Sequence, residues 1–381
     1  MEKGRENHDM SARDTQNNAP PVPYFDLQRQ YHALKDEIDD AAARVFQSGY
    51  FILGGELEAF EEEFAAYCGV SHCVGVNSGT DALLLSFRAL GLSAGDEVAT
   101  VSASFFATVI GPLLTGVRIR FVDIDPATRL MAPDLLEEAL TTETKLVVPV
   151  HLYGRMADME AISNRAGRVG ARIVEDACQA HGARKGGIGP GMKSDCAVFS
   201  FYPTKNLGAF GDAGCVVTND EGLAGEIRDL RNYGSTEKYH HPTPGINSRL
   251  DELQAAVLRV KLKRLDEWNE RRRGIARRYL AEIQNGRVTL PGIPDGDEHV
   301  LYVFAVETDD RDGLREHLAR RGIGSLVHYP APLHHQEALR EYRDVRLPHT
   351  ERLFERVLSL PLFPELTDDE ADRVIEAVND F

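Results

Sequence analysis

Basic residues are in deficit: 43 Lys and Arg stand against 60 Asp and Glu, a formal net charge of −17 over 381 residues. Binding a nucleic-acid backbone needs a basic face, so such a role is excluded unless positive charge gathers locally on an acidic surface. The one dense basic cluster, Arg271, Arg272, Arg273, Arg277 and Arg278, reads as a solvated helix face, with anion or nucleotide contact as the lesser alternative. Long apolar runs are missing too. No segment reaches the ~18 uncharged apolar residues of a membrane span, and the N-terminus is polar where a signal sequence is basic and then apolar. A cytoplasmic protein with no membrane partner is the expectation. Cysteine is sparse: Cys68, Cys73, Cys178, Cys196 and Cys215 are odd in number and contain no CxxC pair. That fits reduced, mostly buried thiols better than a disulfide framework.

Several cofactor motifs are absent in the same way. Cys68 and Cys73 bracket His72, but no second ligand pair follows at zinc-like spacing. The stretch GGIGPGMKS (186–194) lacks the GxGxxG spacing and has Met192 before Lys193 where a P-loop needs glycine, so a surface loop is expected. The pairs His240/His241 and His334/His335 come without HExxH, and adjacent residues on extended chain point apart. Solvated or substrate-facing histidines and no metal are expected there.

What is present is a globular composition, 43% hydrophobic and 27% charged. Residues 1–21 are polar, aperiodic and end in Pro20 and Pro21, which predicts a mobile tail. From about 70 to 220, the apolar runs HCVGV, EVATV, RIRFVDI, KLVVPVHLY, ARIVEDA, CAVFSFY and GCVVT alternate with helical patterns such as Thr80 to Leu90, Pro133 to Leu140 and Asp158 to Val169. Near-continuous apolar strands with crossover helices predict an α/β domain around a mostly parallel sheet, assigned to 22–250. The remainder, 251–381, is expected to hold one long linking helix from Asp251 to about Ile283 and a smaller α+β domain. That domain contains VLYVFAV, a helix from Asp312, IGSLVHY and a last helix capped by Thr367 with Glu370.

Three features sit at expected strand ends, where α/β sheets keep their ligands. Asn77 to Asp81 follow HCVGV and open a helix. Free N–H groups, Gly79 and the Thr80 hydroxyl would suit a phosphate, and the same residues make an ordinary N-cap. Glu175 and Asp176 close ARIVEDA, as functional carboxylates or as structural caps of the next turn. Lys205 follows CAVF in a turn set by Pro203, as a candidate nucleophile or a solvated amine. Together, a phosphate cradle, an acidic strand end and a lysine are what pyridoxal phosphate chemistry asks for. Phe105, in VSASFFAT, could stack on the cofactor ring or belong to the core.

NSGTDAL (77–83), VEDACQAHGA (174–183), FSFYPTKNLGAFGDAG (199–214) and GINSRLDELQAAVL (245–258), in this order, resemble the DegT/DnrJ/EryC1/StrS family of sugar aminotransferases. The resemblance runs from Val22 to Phe381 and implies the fold type I architecture of pyridoxal 5'-phosphate (PLP) enzymes. It implies Lys205 as the cofactor-bearing lysine, Asp176 on the pyridine nitrogen, Gln179 near the ring oxygen and Phe105 stacking on the ring. Gly79, Thr80 and Ser200 would hold the phosphate, and Asn247 would reach the neighbouring subunit's cofactor in a homodimer with shared sites. Tyr202, His328 and Tyr329 would face the substrate. By the same resemblance, L-glutamate would donate the amino group to a nucleotide-linked keto-sugar, most like a dTDP-linked 3-keto-6-deoxyhexose. A 4-keto sugar or keto-inositol acceptor, a PLP-dependent dehydratase and a non-catalytic PLP-binding regulator are the alternatives. The dehydratases of this family carry histidine at the lysine position, and Lys205 weighs against them.

Overall fold

A computed structural model describes residues 20–381, so the tail expected over 1–21 lies almost wholly outside the described residues. The seven apolar runs form one sheet: β1 (His72–Val76), β2 (Glu97–Val101), β3 (Arg118–Val122), β4 (Thr144–Val148), β5 (Arg172–Asp176), β6 (Cys196–Ser200) and β7 (Gly214–Thr218). The spatial order is β1-β7-β6-β5-β4-β2-β3. The contacts among β3, β2, β4, β5 and β6 are parallel, whereas β7 pairs antiparallel with both β6 and β1. Six strands therefore point one way. Their carboxyl ends, and the start of β7, share one edge of the sheet.

The strands are apolar on both faces because both faces are covered. Alternate residues feed two cores: Ile173, Ala197, Phe199 and Val217 enter one, and Val174, Cys196, Val198 and Val216 enter the other. This alternation also decides the acidic pair. Glu175 joins the face that buries His151, while Asp176 points from the other face into the site described below. Glu175 Oε2 lies 2.8 Å from His151 Nε2, and both side chains are fully buried. His151 Nδ1 accepts the N–H of Ala157, so Nε2 carries the proton and donates to the carboxylate. Glu175 Oε1 accepts the N–H of Gly191. The glycine-rich stretch is thus not a surface loop throughout, because Gly189, Pro190 and Gly191 are buried against this carboxylate.

The helix predicted over 251–283 is two helices, Glu252–Leu262 and Leu265–Glu282. Apolar periodicity runs through the break because a tight turn joins them, with the Arg264 N–H donating to Lys261 O. Lys261 turns inward here, its ammonium donating to Gly208 O at 2.7 Å and resting 4.0 Å from the Phe210 ring centre. Burial lowers its pKa to about 7. The first of these helices also packs Ala256, Val257 and Val260 against Ile38, Ala41 and Val45 of the helix Lys35–Ser48 and Leu34 just before it.

A further core unites Val22, Ile275, Tyr279, Phe304, Leu314, Leu358, Phe363 and Val374. It covers a two-stranded antiparallel sheet of β8 (Phe304–Glu307) and β9 (Val357–Leu360). VLYVFAV is extended only at its end, since Leu301 takes φ +53° and turns the chain before β8. The last helix, Asp368–Asn379, has the reciprocal Thr367/Glu370 capping box. The basic cluster is not a free cationic face. Arg272 is buried and donates to Leu362 O, Arg271 pairs with Asp368, Arg273 and Arg277 with Glu270, and Arg278 with Glu282. The five cysteines are free, four of them buried. No helix among the described residues is long and apolar enough to cross a membrane.

Burial makes two histidines proton-averse. His181 and His299 are pushed down to about 3 by desolvation, each with help from nearby cations. In the unfolded chain they titrate near 6.5, so below that pH the unfolded state binds protons that the folded state refuses. Stability is therefore expected to fall from pH 6.5 to 5 by roughly 2 kcal/mol for each residue. Chemical denaturation at both pH values checks this, and His299→Asn should remove its own share of the slope.

Candidate active site

The shared edge of the sheet opens into a cavity of about 580 Å³. Its floor comes from strand ends: Asp176 ends β5, Ser200 ends β6, and Ser104 and Phe105 follow β2. Across from them, Gly79 and Thr80 begin the helix Gly79–Ala89, whose first N–H groups have no acceptor within the helix. Ser78 caps that helix by accepting the Asp81 N–H at 3.1 Å, so a capping role and an anion-facing helix end coexist here. The close fit depends on two glycines. A Cβ on Gly214 would lie 2.4 Å from the Ser78 carbonyl carbon, and one on Gly79 would lie 2.7 Å from Ser200 Cβ.

Lys205 enters from the turn after β6, with its N–H donating to Tyr202 O at 2.8 Å. Its Nζ stands 4.2 Å from the centre of the Tyr302 ring, a cation–π contact. Asp176 is buried, and its Oδ2 accepts from Thr108 Oγ1 at 2.8 Å while Oδ1 accepts from the Cys178 N–H at 3.2 Å. Thr108 in turn bonds Ser104 at 2.7 Å. Gln179 is clamped: Oε1 accepts the Tyr153 N–H at 2.7 Å and Nε2 donates to the Tyr329 hydroxyl at 3.2 Å. Tyr153, with φ +60°, is held in a conformation rare for a side chain of its size by that bond and by a second from the Tyr302 N–H to its carbonyl.

Phe105 and Tyr202 line the mouth with more than half of their surface exposed, and Phe105 lies 5.6 Å from the ring of Tyr329. His328 lines the opposite wall, its Nδ1 2.9 Å from Ser359 Oγ. Burial, aided by the Lys205 charge, lowers its pKa to about 4 and keeps it neutral. Burial likewise pushes the Tyr329 hydroxyl up, so it stays protonated.

Ten of the eleven residues singled out in the sequence thus meet around one cavity. Asn247 does not: it is exposed, bridges to Asn232 and lies outside the lining. His334 is neither solvated nor substrate-facing, being buried outside the cavity. Thr108, Tyr153 and Tyr302 escaped the sequence reading. Thr108 could have been found as a hydroxyl one helical turn beyond Ser104, whereas Tyr302 was hidden inside an apparent strand.

The donor set fits PLP. A helix N-terminus and hydroxyls suit a phosphate, a buried carboxylate suits a protonated ring nitrogen, and an amine with no side-chain hydrogen bond among the described residues suits an aldehyde. Gly79→Ala is expected to weaken PLP binding by about tenfold to a hundredfold, the cost of a methyl forced against Ser200. Titration of the apoenzyme followed by cofactor absorbance reads this directly.

Comparison with known proteins agrees with this arrangement. The chain is 49% identical over 370 residues to a dTDP-3-amino-3,4,6-trideoxy-alpha-D-glucose transaminase of Streptomyces venezuelae, covering 95% of this chain and 96% of the relative. It is 47% identical over 360 residues to the erythromycin biosynthesis sensory transduction protein EryC1 of Saccharopolyspora erythraea, covering 93% and 98%. The crystal structure of S. venezuelae DesV superposes with a TM-score of 0.92 at 49% identity, covering 95% of this chain and 98% of that one. With the family model matching residues 32–379, the chain belongs to the DegT/DnrJ/EryC1/StrS aminotransferase family, whose members use PLP.

Proposed function

We propose that this protein moves an amino group from L-glutamate to C3 of a nucleotide-linked keto-sugar, a dTDP-linked 3-keto-6-deoxyhexose, in amino sugar biosynthesis. The observation that carries the reading is the cavity that gathers Lys205, Asp176 and the Gly79 helix end on one sheet edge. The trideoxyglucose transaminase name of the relative at 49% identity supports the sugar and the position.

PLP, when bound, supplies the electron sink that makes the donor's α-proton removable. The protein supplies the rest. Lys205 Nζ would take that proton and hand it back two bonds away, at the former aldehyde carbon, a transfer suited to a flexible amine resting on the Tyr302 ring. Asp176, fixed by Thr108 and the Cys178 N–H, holds positive charge on the ring nitrogen. Gly79, Thr80 and Ser200, which line the cavity, would anchor the phosphate, and Phe105 at its mouth would cover the ring. Neutral His328 and protonated Tyr329 present hydrogen-bonding groups to the sugar hydroxyls without adding charge.

The same proposal includes a homodimer. Tyr50, Phe51 and Tyr239 are at least half exposed, apolar surface that a partner subunit would cover. Asn247, exposed and outside its own cavity, is free to serve a neighbour's. A cytoplasmic setting suits five free thiols.

Incubation with L-glutamate and either the 3-keto or the 4-keto sugar nucleotide, with products analysed by mass spectrometry and NMR, tests the assignment. Amination of the 3-keto sugar alone is expected. Exclusive amination of the 4-keto isomer would overturn the regiochemistry and leave the aminotransferase standing. The regulatory name of EryC1 raises a second reading, a PLP-binding regulator, which turnover of any keto-sugar would exclude.

A further inference from the structure

The pair His334 and His335 sits on a tight helical turn, Leu333–His335, in place of extended chain, so the two rings do not point apart. Their centres are 4.1 Å from each other. Glu351, on the helix Pro348–Arg356, completes a cluster: one ligand atom from each of His334, His335 and Glu351 lies within 4.8 Å of the others.

The detail of the cluster points to a ligand. His334 is fully buried, and its Nε2 has no hydrogen-bond partner among the described residues. That nitrogen faces Glu351 Oε1 at 3.5 Å, too long for a good hydrogen bond but close to the ~3.3 Å edge between two ligands of a tetrahedral zinc with bonds of about 2.0–2.1 Å. The other ring nitrogen, Nδ1, lies 2.7 Å from Ser102 Oγ, and that same oxygen accepts the His334 backbone N–H at 3.1 Å. An Nδ1–H donated to Ser102 leaves the Nε2 lone pair aimed at the cluster, which is how histidine ligands are oriented in metal sites. Glu351 is also held, its Oε1 accepting the Leu347 N–H at 3.0 Å. His335 is exposed, so its ring is free to turn toward the other two ligands.

We infer that His334, His335 and Glu351 form a binding site for a borderline divalent cation, Zn²⁺ in the first instance, with water as fourth ligand. Two imidazoles and a carboxylate select such an ion over Mg²⁺ or Ca²⁺, which take all-oxygen shells. The site lies outside the cavity, and its role is to tie three segments together. The turn at 333–335 follows His328 and Tyr329 in the chain, its Leu333 N–H donates to Ser102 O, and Ser102 leads to Phe105. A metal here braces two walls of the active site from behind.

The test uses PLP-loaded protein stripped with chelator and dialysed. Titration with Co²⁺, followed by visible d–d absorption and calorimetry, should show one equivalent per chain, displaced by Zn²⁺ and untouched by Mg²⁺, together with a raised melting temperature. His335→Ala, at an exposed position that should not disturb folding, should weaken binding by at least about tenfold. Ser102→Ala should cost about 10- to 100-fold through the lost orientation of His334. Far-ultraviolet circular dichroism and retained PLP absorbance confirm that each variant is folded. Absence of stoichiometric Co²⁺ uptake by the wild-type chain would overturn the inference. So would His335→Ala binding as tightly as wild type, which would place the ion on other histidines.

Discussion

Lys205→Ala is expected to lower turnover by at least about 10⁴-fold, the upper range for a positioned acid–base group, and to leave the fold intact. The amine rests on the face of Tyr302 in a half-buried position, so truncation exposes no buried charge and strands no hydrogen-bond partner among the described residues. The loss should be in kcat, because the sugar and the donor are held by other residues around the cavity. Methylamine, small enough for a cavity of about 580 Å³, should restore part of the rate by supplying a free base where Nζ was. A variant with a rate within tenfold of wild type would remove Lys205 from the chemistry.

The second large effect concerns Asp176. Asp176→Asn keeps the shape and can still accept from Thr108, but it removes the negative charge that, in the proposed function, would balance a protonated ring nitrogen. A fall of about 10²–10³ in kcat is expected, the usual size for deleting one preorganised electrostatic contact. Both half-reactions use the same ring, so the single turnover with L-glutamate alone should slow in step with the overall rate. Thr108→Ala should give a smaller loss, about tenfold, since it frees the carboxylate to move without discharging it. Thr108 is in this sense a positioning residue, and the two variants together separate the charge from its orientation. Equal losses in the two variants would mean that geometry alone matters.

The strands were readable because burial on both faces makes each a short unbroken apolar run, and all seven runs are strands in the sheet. Lys205, Asp176 and Gly79 were readable for a related reason. Asp176 ends such a run, and Gly79 and Lys205 each come three residues after one, so knowing the strands also placed the residues on one edge. What escaped depends on geometry that has no period. The reversal of β7 leaves no trace in GCVVT, yet it brings Gly214 under the Ser78 backbone. The break at Lys263 was invisible because a tight turn preserves the apolar spacing on both sides of it. Tyr302 sits in VLYVFAV like any strand residue, and only the positive φ of Leu301 turns it toward Lys205. The arginine cluster misled in the other direction, because charge density along a helix says nothing of the acids packed against it from elsewhere in the chain. The histidine pair misled through an assumption of extended chain, which the turn at 333–335 does not meet.

In the proposed function, this chain takes an amino group from a donor and passes it on by way of Lys205 and bound PLP. The absorbance spectrum of the PLP-loaded protein, recorded before and after L-glutamate is added without any sugar, tests it most directly. Loss of the visible cofactor band with one equivalent of 2-oxoglutarate per active site is expected, and recovery of the band when the keto-sugar is supplied. A bound cofactor whose spectrum ignores L-glutamate and every other amino acid offered would contradict it.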